Sequence, residues 1–326
     1  MAADGGRDAQ AAGLHGPGVR IGVIGTGHLG RHHVRILASL PGAELVGIHD
    51  ARPDVAAALA AEHGTRAFDS VEELASRVEA VVLAVPTSDH ARLGRWLLGA
   101  GLHVLVEKPI ASTLEEADAL LDAAEAANRI LAVGHVEFFN PAVQALLAHR
   151  APPGFLEIQR LGVFSPRSLD VDVILDLMIH DLQILHALDP TEVREVRATG
   201  IAVLSPRVDI ANVRIELASG CVANLTASRV SSERVRKLRA FLPARYLSLD
   251  YQTQELKGYR LERDDGGPRI VPLDLPVVPA EPLRRELEAF VGACRGETPA
   301  LVGGADGRRA LETALAVVAA IGAVAG

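Results

Sequence analysis

Residues 21–37 read IGVIGTGHLGRHHVRIL, and the order of residue types in this stretch decides the fold. A β-branched run, Val19 to Ile24, enters Gly25-Thr26-Gly27-His28-Leu29-Gly30, and an amphipathic segment follows from Leu29. Glycines at a strand-to-helix junction permit a tight turn and bring backbone N–H groups to a pyrophosphate at the helix N-terminus. The pattern alone is weak. The next strand, however, ends at Asp50, twenty residues past Gly30, where a carboxylate can accept hydrogen bonds from two ribose hydroxyls. A 2'-phosphate would be repelled there, so NAD is expected over NADP, with Arg52 close enough to soften that preference. His32 and His33 point about 100° apart on a helix, so they are expected as surface or packing residues and no metal site is expected.

Outward from the turn, short apolar runs alternate with Ala/Leu-rich stretches, the order of parallel strands joined by helices. Strands are expected at residues 19–24, 44–49, 80–85, 103–106 and 130–133, and helices at 29–39, 53–62, 71–78, 90–100 and 113–127. Asp69 or Ser70, Ser88 or Asp89, and Ser112 or Thr113 are plausible caps. After Asn140-Pro141 the segments 155–163, 195–204, 209–217, 221–228 and 237–241 follow with few helices between them, which predicts a largely antiparallel sheet. Helices are expected at 173–188, 282–295 and from 307 to the end. The fold class is therefore α/β: a doubly wound parallel Rossmann sheet, then an α/β unit on a large, mainly antiparallel open sheet. The expected division is a disordered leader at 1–18, a dinucleotide-binding domain at 19–135, and a substrate-binding and oligomerisation domain at 136–326.

Composition narrows the function. With 33 Lys plus Arg against 41 Asp plus Glu, the net charge of −8 argues against nucleic acid as a partner, and 3% aromatics leave few rings to stack on bases. Two distant cysteines make neither a disulfide framework nor a four-ligand zinc site. No apolar run approaches the roughly 18–20 residues of a membrane span, and residues 1–18 do not read as a signal peptide, so a cytoplasmic protein without a membrane partner is expected.

Hydride transfer from an alcohol needs a proton acceptor and a group to steady the alkoxide. No Tyr is followed four residues later by Lys, which argues against the short-chain dehydrogenase pair. Two other places offer the chemistry. Glu107-Lys108-Pro109 ends the fourth expected strand at the ligand-binding edge of the sheet, where Lys108 can orient a hydroxyl. Asp176 and His180, four apart on a helix, are expected to share a face and to hydrogen-bond, with Asp181 pointing away. Pro86 and His90 lie near the same edge, and His90 has capping or packing as its ordinary alternative. A surface lysine and an ordinary helix pair are the plain alternatives for Lys108 and for Asp176 with His180.

Four motifs in order, IGVIGTGHLGRHHVRIL, AVPTSDH, VEKPIA and LDLMIHD, resemble the Gfo/Idh/MocA oxidoreductase family over nearly the whole chain. The resemblance implies catalysis by Lys108, Asp176 and His180, with His180 as proton acceptor. It implies cofactor contacts from the turn Gly25–Gly30, Asp50, Pro86, His90, Glu107 and Lys108, and a homodimer or homotetramer. GHVEFFNPA at 134–142 and YLSLDY at 246–251 look like the branch of UDP-N-acetylglucosamine 3-dehydrogenase-like proteins. Phe138 stands where many relatives in that branch carry arginine, and Arg160 and Arg167 are the cations that could compensate. Asp172–Leu175 replaces a glycine run common in the family. Substrate contacts are thus expected from Lys108, Asn140, Arg160, Arg167, Asp176 and His180, on a small-molecule sugar or nucleotide-sugar. The leading expectation is oxidation of C3 of a UDP-N-acetylhexosamine. An inositol or free-sugar dehydrogenase and a non-catalytic dinucleotide sensor are the alternatives.

Overall fold

The computed structural model describes residues 18–149, 152–164, 171–264, 267–299 and 302–324. Arg167 and nearly all of the expected leader therefore lie outside the described residues. The first sheet comprises β1 (Val19–Ile24), β2 (Ala43–His49), β3 (Arg66–Ala67), β4 (Ala80–Leu83), β5 (His103–Glu107) and β6 (Leu131–Gly134). All are parallel, in the order β3-β2-β1-β4-β5-β6. The helices α1 (Gly30–Leu37), α2 (Pro53–His63), α3 (Val71–Ala75), α4 (Thr87–Gly99) and α5 (Leu114–Ala127) make the crossovers. Strand order reverses between β1 and β4, so the carboxyl ends of those strands open a crevice for ligand.

Local chemistry explains the element ends. Ser70 accepts from Glu73 N at 3.1 Å and Thr113 from Glu116 N at 3.2 Å, two of the expected caps, each worth about 1 kcal/mol. At α4 the expectation fails: the helix starts at Thr87 behind Pro86, and neither Ser88 nor Asp89 caps it. β3 was not expected, since two residues are too few for a periodicity.

A 3-10 turn at Val136–Phe139 and α6 (Pro141–Leu147) lead into the second sheet. It contains β7 (Phe155–Leu161), β8 (Val193–Ile201), β9 (Ile210–Leu217), β10 (Val222–Ser228), β11 (Val235–Leu242), β12 (Arg245–Asp250), β13 (Glu255–Asp264) and β14 (Gly267–Leu273). Their order is β14-β13-β12-β11-β7-β10-β9-β8; the β7–β10 pair is parallel and the others are antiparallel. Leu156, Ile158, Ala223, Leu225, Leu238, Ala240, Leu247 and Leu249 point to one face, where they join residues of α7 (Ile179–Leu188) in one core. The opposite face carries Phe155, Phe241, Tyr246 and Tyr259 in successive ring contacts.

The last helices refine the expected boundary at 135/136. By packing, α8 (Pro282–Cys294) belongs to the first sheet: Leu287, Phe290 and Val291 share a core with Ile21, Val34 and Ile48. α9 (Gly304–Val324) touches both sheets, placing Leu311 in the core under β4 and β5 and Ala314 in the core of the second sheet. No helix among the described residues is long and apolar enough to cross a membrane.

Candidate active site

A cleft of about 1470 Å³ runs from the glycine turn to α7. Gly25, Gly27, His28, Leu29, Asp50, Arg52 and Pro86 line one end; Lys108, Asp176, His180, Arg234 and Arg236 line the other.

At the first end, Gly25 has φ +89° and a Cβ there would meet the Ala84 carbonyl oxygen at 2.4 Å, so only glycine makes this turn. A Cβ on Gly27 would have nothing within 4 Å. That open space lies where the backbone must approach a pyrophosphate, so the turn fits a dinucleotide. Thr26 faces away from the cleft: its N and Oγ1 donate to Asp50 Oδ2 at 2.7 and 2.8 Å. Asp50 Oδ1 accepts from Arg52 N and Nε at 3.0 and 3.2 Å. Burial works to raise the Asp50 carboxyl, but these bonds from Thr26 and Arg52 outweigh it and bring it down to about 2. The carboxylate is ionised and firmly aimed.

At the second end, the expected pairing of Asp176 with His180 is replaced by another. Ile174–Met178 forms a π-helical turn, whose wider spacing removes the four-residue register of an α-helix. Asp176 instead meets Lys108: the ammonium donates to the Asp176 carbonyl oxygen and lies 3.2 Å from Oδ1. Lys108, from the end of β5, is thereby clamped 68 residues away in sequence. His180 lines the cleft, while its Nδ1 is buried without a hydrogen-bond partner among the described residues, which leaves Nε2 to meet a ligand. Its ring stands edge to face with His135, centroids 5.7 Å apart. Burial, then the positive charges of Lys108 and Arg160, keep His180 neutral well below the usual histidine range. His135, fully enclosed, is brought down to about 3 by burial and by Lys108.

Four expected contacts turn inward. Arg160, 2% exposed, donates from Nε and Nη2 to Asp181 at 2.8 and 2.7 Å and from Nη1 to Glu137 at 2.7 Å, with its guanidinium over Tyr251. It cannot reach substrate. It braces α7 next to His180, and Asp181 is the structural residue expected. Asn140 caps α6 through Ala142 N and donates to the Tyr251 carbonyl at 3.0 Å, fully buried. His90 is buried between the Pro109 and Val85 carbonyls, 2.9 and 3.0 Å from its ring nitrogens, so packing is its role. Glu107 borders the cleft, but its Oε1 accepts from His33 Nε2 at 2.7 Å beneath it.

Glu286 of α8 completes that buried group, its ligand-type atoms within 4.8 Å of His33 and Glu107. The 2.7 Å contact of His33 and Glu107 is a hydrogen bond, shorter than the separation of about 3.3 Å between two ligands of one tetrahedral ion. Burial, and next the Glu107 charge, push Glu286 well above the usual carboxyl range. Sequence reasoning missed Glu286, His135, Arg234 and Arg236. Only the alternation Arg234-Val235-Arg236 hinted at two cations on one strand face.

Comparison with known proteins agrees with this geometry. A model of an oxidoreductase family with an NAD-binding Rossmann fold, GFO_IDH_MocA, matches residues 19–135. A UDP-N-acetylglucosamine 3-dehydrogenase of Acidithiobacillus ferrooxidans is 40% identical over 306 residues, 93% of this chain and 97% of that protein. A solved structure of UDP-N-acetylglucosamine 3-dehydrogenase from that organism has a TM-score of 0.87 at 41% identity, covering 94% of this chain and 98% of the other. Inositol 2-dehydrogenase 2 of Paenarthrobacter aurescens is 29% identical over 92% of this chain and 95% of its own. The glycine turn, the Lys108 strand end and the His180 helix thus sit in a protein whose relatives include sugar and polyol dehydrogenases, and the chain belongs to the Gfo/Idh/MocA family of oxidoreductases.

Proposed function

We propose that this protein is an NAD-dependent dehydrogenase that oxidises a ring hydroxyl of a UDP-linked N-acetylhexosamine, at C3. The observation that carries the chemistry is the convergence of Lys108, Asp176 and His180 in the cleft that begins at the glycine turn. Likeness to the Acidithiobacillus enzyme supports the substrate. A bound nicotinamide dinucleotide supplies one thing, acceptance of the hydride from the carbinol carbon. Gly25–Gly30 would hold its pyrophosphate, and Asp50 its adenosine ribose in exchange for the Arg52 side chain, which favours NAD over NADP. Everything else falls to side chains. His180, neutral at physiological pH, takes the hydroxyl proton, and Lys108 donates to the oxygen as negative charge develops. Asp176 holds Lys108 in place.

The division at 135/136 then separates a cofactor unit from a substrate unit, with α8 packed back on the first and α9 tying the two together. The aromatic row of the second sheet supports self-association into a homodimer or homotetramer, since Phe241 and Tyr259 are 39% and 45% exposed. Light scattering on the eluted protein tests this; a monomer at micromolar concentration excludes it. For the reaction, NADH formation is followed with UDP-N-acetylglucosamine, free N-acetylglucosamine and myo-inositol. Turnover with the UDP-sugar alone supports the proposal, and turnover with inositol alone overturns the substrate. Parallel titrations with NAD and NADP test the role given to Asp50.

A further inference from the structure

We infer that Arg234 and Arg236 form an anion subsite receiving the diphosphate of a nucleoside-diphosphate sugar, an inference that rests on the nucleotide-sugar reading above and assigns it residues. Arg236 lies in β11 and Arg234 just before it; residues two apart share one face of a strand, and both line the cleft together with Asp176 and His180. In the register of β7 and β11, Arg236 stands directly opposite Arg160. Like charges placed so are destabilising unless matched. Arg160 is matched in full by Asp181 and Glu137. Among the described residues Arg236 finds only Glu137 Oε1, already held by Arg160, at 3.2 Å. Arg234 has no ion-pair partner among the described residues and is exposed. Three guanidiniums thus face two carboxylates, and the Lys108–Asp176 pair adds no net charge.

This local excess stands against a chain of net charge −8, so it does not follow from a basic composition. A neutral polyol has no use for it. Guanidinium forks match phosphate oxygens, and partial burial of Arg236 strengthens such a contact. The cleft, at about 1470 Å³, exceeds the 300–1,000 Å³ typical of single-ligand sites, leaving room for a second nucleotide beside the first.

The test is calorimetric titration of UDP into NAD-saturated protein, with wild type, Arg234→Ala and Arg236→Gln. Arg234 has no ion pair to lose among the described residues, so its variant guards against misfolding of the other; thermal unfolding checks both. The expected result is UDP binding that each substitution weakens about ten-fold or more, with KM for UDP-N-acetylglucosamine rising in step. Failure of UDP to bind the wild type, or equal Kd in all three proteins, overturns the subsite. Binding of free glucuronate in place of UDP, lost in the same variants, overturns the diphosphate assignment. UDP binding that responds to both substitutions, without oxidation of any UDP-sugar, supports the subsite and overturns the proposed reaction instead.

Discussion

The two ends of the cleft are built on opposite terms. At the nucleotide end the polar groups answer one another: both oxygens of Asp50 take two hydrogen bonds each, all from within two residues of Asp50 or from the turn. At the substrate end they do not. Among the described residues, His180 Nδ1 and both nitrogens of His135 are buried without hydrogen-bond partners, and Arg236 shares a carboxylate oxygen. The first end is finished by short-range backbone geometry before any ligand arrives. The second is assembled from β5, the π-helical turn, α7 and β11, and leaves Arg234 and the carboxylate-sharing Arg236 lining the cleft for a ligand.

The largest effects should come from breaking the second end. Lys108→Met and His180→Ala should each lower kcat by about 10²–10⁴ while NAD affinity, read by fluorescence quenching, changes little. Unchanged turnover would remove that residue from the chemistry. Because His180 is held neutral well below 6.5, the acid limb of kcat/KM should lie below pH 6.5, with a flat profile from there to pH 8.

Next come the buried supports. Arg160→Met leaves Asp181 and Glu137 charged and enclosed, and should cost about 3–5 kcal/mol in urea unfolding. Arg236→Met, at a partly exposed pair, should cost about 1 kcal/mol or less. Equal costs would erase the distinction between brace and ligand site.

At the first end, Gly27→Val should weaken NAD binding about ten-fold or more while moving ligand-free stability by less than about 0.5 kcal/mol, because its Cβ has no protein neighbour. Gly25→Ala should impair folding itself, since its Cβ meets backbone.

The smallest effect concerns Glu286. Its folded-state pKa is raised, so the stability linked to its proton is present below pH 4.5 and is lost as pH rises toward the folded value. Glu286→Gln should therefore gain on the wild type in urea midpoint as pH rises from 4 to 8, and should lose its advantage near pH 4. An advantage independent of pH would show that Glu286 is ionised in the native protein.

Particular residues show where sequence suffices. Gly25, Asp50, Lys108 and His180 each sit at the end of a strand or on an apolar helix, so the local periodicity of the chain is enough to place them. β13 and β14 escaped because ELKGYRLERD is heavily charged and GPRIVPL is a proline-bearing edge segment, and neither has a clean apolar alternation. Asp176 was placed in the site but given the wrong partner, since spacing assumes an α-helix and the chain there is a π-turn.

Sequence by itself determined the parallel sheet, the glycine turn with its acid, and the family of chemistry, because these depend on steric and periodic rules acting over a few residues. Tertiary structure alone decided that Arg160 is a brace while its cross-strand neighbour Arg236 faces the cleft, that Lys108 is held by Asp176, and that Glu286 closes a buried group with His33 and Glu107. Those outcomes depend on which charges meet across 68, 23 and more residues, and the cost of burying an unmatched charge is set only by the neighbours that arrive with it.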